Sequence, residues 1–186
     1  MNEDINQSAH VLRKGGIILY PTDTIWGIGC DATNHKAVDR IYKLKKRSDS
    51  KSMLVLLGSE NLLQQYVKVV PDIAWELLEV ADKPITIIYP DAKNLASNLI
   101  AENGSIGIRI PKDEFCLKLL NQLRKPLVST SANISGEISP QTFREISVEI
   151  KDGVDYIVRW RQNDLGRSIP SSILELGIGG EVKIIR

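Results

Sequence analysis

Apolar residues along this chain recur with two periods. Ile5, Ala9 and Leu12 fall at intervals of four and three, and Gly15-Gly16 ends the run. That spacing predicts a helix over 3–14. "GIILY" (16–20) is continuous, short and β-branched, which predicts a buried strand. Asn34 is placed to cap a helix reaching about Lys46, with Val38, Ile41, Tyr42 and Leu44 on its buried side. "SMLVLL" (52–57) predicts a second buried strand, and 60–81 two helical pieces broken before Pro71. "PITIIY" (84–89) and "SIGIRIP" (105–111) are strand patterns. Phe115, Leu119, Leu120 and Leu123 share one face of a helix over 112–124. "PLVST" (126–130) predicts a strand running into the polar loop "SANISGE", and residues 140–151 a helix. "YIVRW" (156–160) predicts a strand, and "SSILEL" with "EVKIIR" a hairpin around "GIGG".

Helices and strands mix throughout, without repeat or linker. The pattern predicts one α/β or α+β domain over 1–186, built on one large twisted sheet. At 186 residues, 42% apolar and 25% charged, the chain buries an adequate core unaided. A formal charge of +1 argues against a protein held to nucleic acid mainly by phosphate attraction. Cys30 and Cys116 are isolated and form neither a disulfide framework nor a zinc cluster; both are expected in the core. His10 and His35 have no acid or cysteine at ligand spacing and are expected at the surface. "MNEDINQSAH" has no leader pattern, and no apolar run approaches the about 18 residues that span a bilayer. A cytoplasmic protein is expected.

Four stretches carry candidate chemistry. In "YPTDTIWGIG" (20–29), Pro21 removes a ladder donor, and two hydroxyls and a carboxylate follow. They suit either a self-bonded turn or the polar wall of a pocket at a strand end, with Gly27 and Gly29 allowing close approach. "KLKKR" (43–47) suits a solvated helix end. Lys45 and Arg47 lie two apart and converge only if the helix ends there and the chain turns at "SDSKS" (48–52). Two converging cations suit a phosphate or carboxylate. "STSANISG" (129–136) suits a capping turn or a phosphate- or ribose-binding loop; neither GxxxxGK[ST] nor GxGxxG is present. Arg109, in an apolar strand, is either an edge side chain reaching for solvent or a charge aimed into a cleft. Arg186 is either a frayed end or a ligand clamp.

Taken together, "YPTDTIWGIG", "IYKLKKR", "GIRIP", "STSAN" and "SSILEL…VKIIR" resemble, in order and over nearly the whole chain, the YrdC/TsaC family of threonylcarbamoyl-AMP synthases, in its short form. The resemblance implies a twisted open mixed sheet with flanking helices and a basic concavity. It implies condensation of L-threonine, bicarbonate or CO₂, and ATP to threonylcarbamoyl-AMP and pyrophosphate, with Mg²⁺ carried by ATP, for tRNA modification. Possible partners are tRNA and the proteins of the later transfer step. By position, the resemblance assigns Lys45 and Arg47 as catalytic cations. It assigns Thr22, Thr24 and Ser172 to threonine, and Ser131, Asn133, Arg186 and Arg109 to the nucleotide. The family's serine–threonine pair corresponds to Ser171 and Ser172. Ser48, Lys51-Ser52-Met53, Asp82-Lys83-Pro84 and Trp26 depart from its usual pattern. Two alternatives from other classes remain: an RNA-binding module of the same fold, and a carbamoyl-transfer module of hydrogenase maturation, which the lone cysteines disfavour.

Overall fold

The computed structural model describes residues 1–47, 53–165 and 170–186. The turn expected at 48–52, and the departures at Ser48, Lys51 and Ser52, lie outside the described residues. Helix α1 is Asn2–Arg13, with Ile5, Ala9 and Leu12 buried as their spacing requires. It leads to strand β1, Ile18–Tyr20. Strand β2, Gly27–Gly29, pairs antiparallel with β1. The sequence pattern did not announce β2, because two of its three residues are glycine and show no alternation. The glycine at 29 is steric. A Cβ there would stand 2.4 Å from the Val128 carbonyl oxygen and 2.8 Å from the Tyr20 ring.

Helix α2, His35–Leu44, starts where Asn34 accepts a hydrogen bond from the Ala37 amide at 3.2 Å. Strand β3 is Leu54–Leu56. The 60–81 region is a 3₁₀ turn, Glu60–Leu62, then α3, Leu63–Tyr66, and α4, Asp72–Val80, which begins after Pro71. Strands β4, Ile85–Tyr89, and β5, Ile106–Arg109, follow. Helix α5, Glu114–Leu123, is capped by Asp113, and strand β6 is Leu127–Ser131.

The helix expected over 140–151 shrinks to a 3₁₀ turn, Phe143–Glu145, and α6, Val148–Asp152. Glu145 accepts from the Gln141 amide and from the Thr142 hydroxyl, at 2.8 and 3.1 Å, and so competes with helical pairing. Strand β7 keeps only Tyr156–Ile157 of the five residues expected. Beyond it, the Arg159 amide donates to Asp4 of α1 at 3.0 Å instead of continuing the ladder. Strands β8, Ser172–Leu176, and β9, Val182–Ile184, form the expected hairpin. Among the described residues, no helix is long and apolar enough to cross a membrane.

The strands form one mixed sheet in the order β7-β1-β2-β6-β3-β5-β4-β8-β9. Pairs β1·β7, β3·β5 and β4·β8 are parallel, the others antiparallel. One face carries Ile28, Val55, Ile87, Ile108 and Val128. It is packed by Val38, Ile41 and Tyr42 of α2, with Leu63, Ala74 and Ile150 of the later helices. The opposite face carries Ile18, Tyr20, Leu56 and Leu127 under α1 and α5, which pack on each other. Those two helices cover only part of that face. Leu54, Ser129 and Ser131 are in phase with Leu56 and Leu127 but lie beyond the helices, and there the sheet opens into a cavity.

Candidate active site

The cavity measures about 270 Å³. Its floor is the uncovered side of β6, β3, β5, β4 and β8, represented by Ser129, Leu54, Gly107, Thr86 and Ile173. Its walls are the 22–27 loop, Arg47, and Arg186 beyond β9.

Arg47 reaches this cavity because α2 ends abruptly. Lys46 takes φ 49°, the Lys46 amide donates to the Lys43 carbonyl at 3.1 Å, and the Arg47 amide to that of Tyr42 at 3.0 Å. This is a Schellman ending without its usual glycine. Lys46 is left outside, bridged to Glu149 at 2.9 Å. Arg47 is half-buried at the cavity wall, and burial holds its guanidinium below the ordinary arginine value.

Lys45 sits one layer behind. Only 1% of it is exposed, so it is no solvated helix end. Its ammonium donates to the main-chain carbonyls of Ser131 and Asn133, both at 2.5 Å, and its own carbonyl accepts from the Ser135 amide at 2.8 Å. Burial, and secondarily the Arg47 charge, lower its pKa to about 8, while Glu137 opposes the shift. The structure therefore brings Lys45 to the serine–asparagine loop, as a brace beneath it. Asn133 also serves the loop: its side-chain amide donates to the Ile134 and Glu137 carbonyls at 2.9 and 2.8 Å, and its Oδ1 is buried without a partner. Ser131 lines the cavity.

The two threonines of the 22–24 loop differ in role. Thr22 donates to the Ile25 carbonyl at 2.8 Å and accepts from the Thr24 amide at 3.0 Å, so the self-bonded turn describes it. Thr24 lines the cavity and accepts from the Arg109 guanidinium at 2.6 Å. Arg109 is aimed inward, 3% exposed, with Asp23 at 3.5 Å. Asp23 in turn accepts from the Lys112 amide at 3.1 Å, which orients the loop.

Ser172 is exposed and lies outside the cavity lining, a departure from the assignment made by position. Strand phase explains it: in β8 every second residue faces the cavity, so Ser171, just ahead of the strand, and Ile173 line it. Ser171 is buried and shares a 2.8 Å hydrogen bond with Thr86. Arg186 lines the cavity and donates to the Ser171 carbonyl from Nε and Nη2, at 3.2 and 3.0 Å. The sequence pattern singles out neither Thr86 nor Gly107, both of which line the cavity. The available signal was phase: Thr86 shares the parity of Ile88 in β4, and Gly107 that of Arg109 in β5.

Among the described residues, Arg47, Arg109 and Arg186 line the cavity and no Asp or Glu does, so their field there is positive. Such a site attracts polyanions and holds carboxylates and phosphates through guanidinium forks and hydroxyls. Among the described residues, no group of three or more His, Cys, Asp or Glu side chains could hold a metal. His10 and His35 are exposed, and Cys30 and Cys116 are buried, each as its sequence context predicts.

The family model described as telomere recombination, Sua5/YciO/YrdC, matches residues 10–186. The chain belongs to this family. A threonylcarbamoyl-AMP synthase from Idiomarina loihiensis is 32% identical over 158 residues, covering 83% of this chain and 85% of that protein. The structure of E. coli YciO, a protein of the family by name, superimposes with a TM-score of 0.86 at 25% identity, covering 100% of this chain and 89% of that one. The structure of a P. abyssi Sua5 variant gives a TM-score of 0.87 at 25% identity over 98% of this chain. This chain spans 52% of that Sua5, about half its length. The expected family, and the twisted mixed sheet with a basic hollow, are borne out.

Proposed function

We propose that this protein is a threonylcarbamoyl-AMP synthase, a nucleotidyltransferase acting in the cytoplasm on L-threonine, bicarbonate or CO₂, and MgATP. The observation that carries the proposal is a cavity lined, among the described residues, by Arg47, Arg109 and Arg186, by serine and threonine hydroxyls and by no carboxylate, in a family whose relatives bear that name.

The chemistry joins two anions. The neutral threonine amine takes up CO₂ with loss of a proton to solvent, or bicarbonate with loss of water, to form a carbamate. A carbamate oxygen then attacks the α-phosphorus of ATP, a new P–O bond forms, and the bond to pyrophosphate breaks. Anion repulsion is the barrier that the protein can lower, and fixed cations lower it without reorganising. Arg47, Arg109 and Arg186 do this from the lining of the cavity. Thr24 and Ser171 suit the amino-acid half, and Ser129 and Ser131 the α-phosphate. Lys45 adds its charge from behind and holds the 131–135 backbone in place. Asn133 keeps that loop folded. Mg²⁺ enters as part of the nucleotide, bound by its phosphates. The product would supply the threonylcarbamoyl modification of tRNA.

Mass spectrometry of a reaction with ATP, threonine and ¹³C-bicarbonate is expected to show labelled threonylcarbamoyl-AMP. Arg47→Ala is expected to lower threonine-dependent pyrophosphate release at least 100-fold, of the order found on removing one electrostatic stabiliser, with an unchanged circular-dichroism spectrum. It is a cleaner test than Lys45→Ala, which also loosens the loop. Normal turnover by a folded Arg47→Ala protein would remove the assignment. RNA affinity that falls steeply with salt, in a protein without turnover, would favour a binding module.

A further inference from the structure

Hydroxyl partners alone do not separate threonine from serine, since both amino acids carry the hydroxyl. They differ by one methyl group, and selection needs an apolar hollow of that size. We infer that Gly107 is the floor of this hollow and sets the preference for threonine over serine; the inference rests on the reaction proposed above.

Gly107 lies in the middle of β5, with β3 on one side and β4 on the other, directly opposite Ile88. Glycine in the interior of a strand weakens it and marks a bulge or a close approach by a ligand or another backbone. No backbone comes close here. A Cβ on Gly107 would meet the Thr86 methyl at 3.4 Å, the Leu54 Cβ at 3.6 Å and Ile88 Cγ1 at 3.9 Å, all ordinary van der Waals distances and all side-chain carbons. No positive φ is involved either. Gly29 is the contrast, where an added Cβ would strike the Val128 carbonyl oxygen. The fold therefore requires glycine at 29 and not at 107. What a side chain at 107 would fill is the cavity.

The hollow is apolar in a polar surround. Its three nearest walls are carbon, while Arg109 and Ser129 lie close by in the cavity lining. Thr86 is turned to present its methyl rather than its hydroxyl. The hydroxyl is engaged with Ser171 at 2.8 Å, which leaves Cγ2 over Gly107. Because β-branched side chains are stiff about χ1, that hydrogen bond holds the methyl in place. Thr86 and Ser171 thus make one side of a hollow that takes the substrate methyl, with guanidinium and hydroxyl groups at its rim for the polar atoms. One methylene in an apolar pocket discriminates about 10- to 200-fold, enough for the preference.

The test compares kcat/KM for L-threonine and L-serine, by pyrophosphate release at saturating MgATP and bicarbonate, in the full chain and in Gly107→Ala. The expected result is a fall in the threonine-to-serine ratio of about tenfold or more, with the KM for ATP held within a factor of about two and Tm within about 2 °C. An unchanged ratio, or a loss dominated by the KM for ATP, would overturn the inference. If Gly107→Ala does not fold, Ile88→Val widens the same hollow. It is expected to raise the relative kcat/KM for 3-hydroxynorvaline, which carries an ethyl group in place of the methyl, about threefold or more, and no change would overturn the inference. Should the wild type show no turnover, calorimetric titration with threonine and serine reads the hollow directly. A preference lost in Gly107→Ala supports it, and no amino-acid binding by the wild type refutes the hollow together with the reaction.

Discussion

A lysine ammonium hidden from water is costly unless its protons are placed, and Lys45 places two of them on the carbonyls of Ser131 and Asn133. Its pKa stands at about 8, against an ordinary 10.5. Between those values the unfolded chain binds a proton that the folded chain has released. The penalty of burying the charge is therefore present in full below about pH 8 and is relieved as pH climbs toward 10.5, so this group makes stability rise over that window. The positive field of the cavity moves the opposite way. Nucleotide affinity is expected to fall as pH rises through about 8, and binding above that pH to take up a proton, read as buffer-dependent heats in calorimetry. Lys45→Met is expected to lose the proton uptake. The sequence showed that Lys45 and Arg47 could converge, yet not that one of them props a loop from below. That distinction depends on how deep the residue after the helix lies, and two adjacent lysines, one buried and one exposed, look the same in sequence.

At the scale of elements, periodicity carried most of the fold. Helices α2 and α5 and strands β3 to β5 fall within the predicted spans, and α1 and β6 overrun theirs by one residue, because each buries one face against the sheet. The failures have local causes. β2 was silent because glycine has no side chain to alternate. The 140–151 helix is shorter than its pattern predicts because Thr142 and Glu145 capture local polar groups. The motif offers two adjacent serines, 171 and 172, and the phase of β8 turns Ser171 toward the cavity. The glycine of β2 gives a stability test: Gly29→Ala is expected to lose about 2–3 kcal/mol in urea unfolding, since the new Cβ strikes backbone that cannot withdraw. A loss below 1 kcal/mol would show that β6 can shift, and would weaken the contrast drawn with Gly107.

Across the whole molecule, the site exists because α1 and α5 leave part of one sheet face bare. Composition could not reveal this, since a formal charge of +1 is compatible with a strongly positive hollow. The motifs lie far apart along the chain, and the sheet order brings Thr24, Arg109, Ser131 and Arg186 to one cavity. The floor strands run β6-β3-β5-β4-β8, so neighbours in space come from distant parts of the chain. Such an interleaved platform cannot be laid down by any short fragment, nor can it loosen one piece at a time. Amide hydrogens of Val55, Ile87, Ile108 and Val128 are accordingly expected to exchange only when the entire protein opens, and bound MgATP to slow all four by one common factor. Separate factors for individual strands would reveal a platform that breathes in parts, with substrates entering through its seams instead of from above.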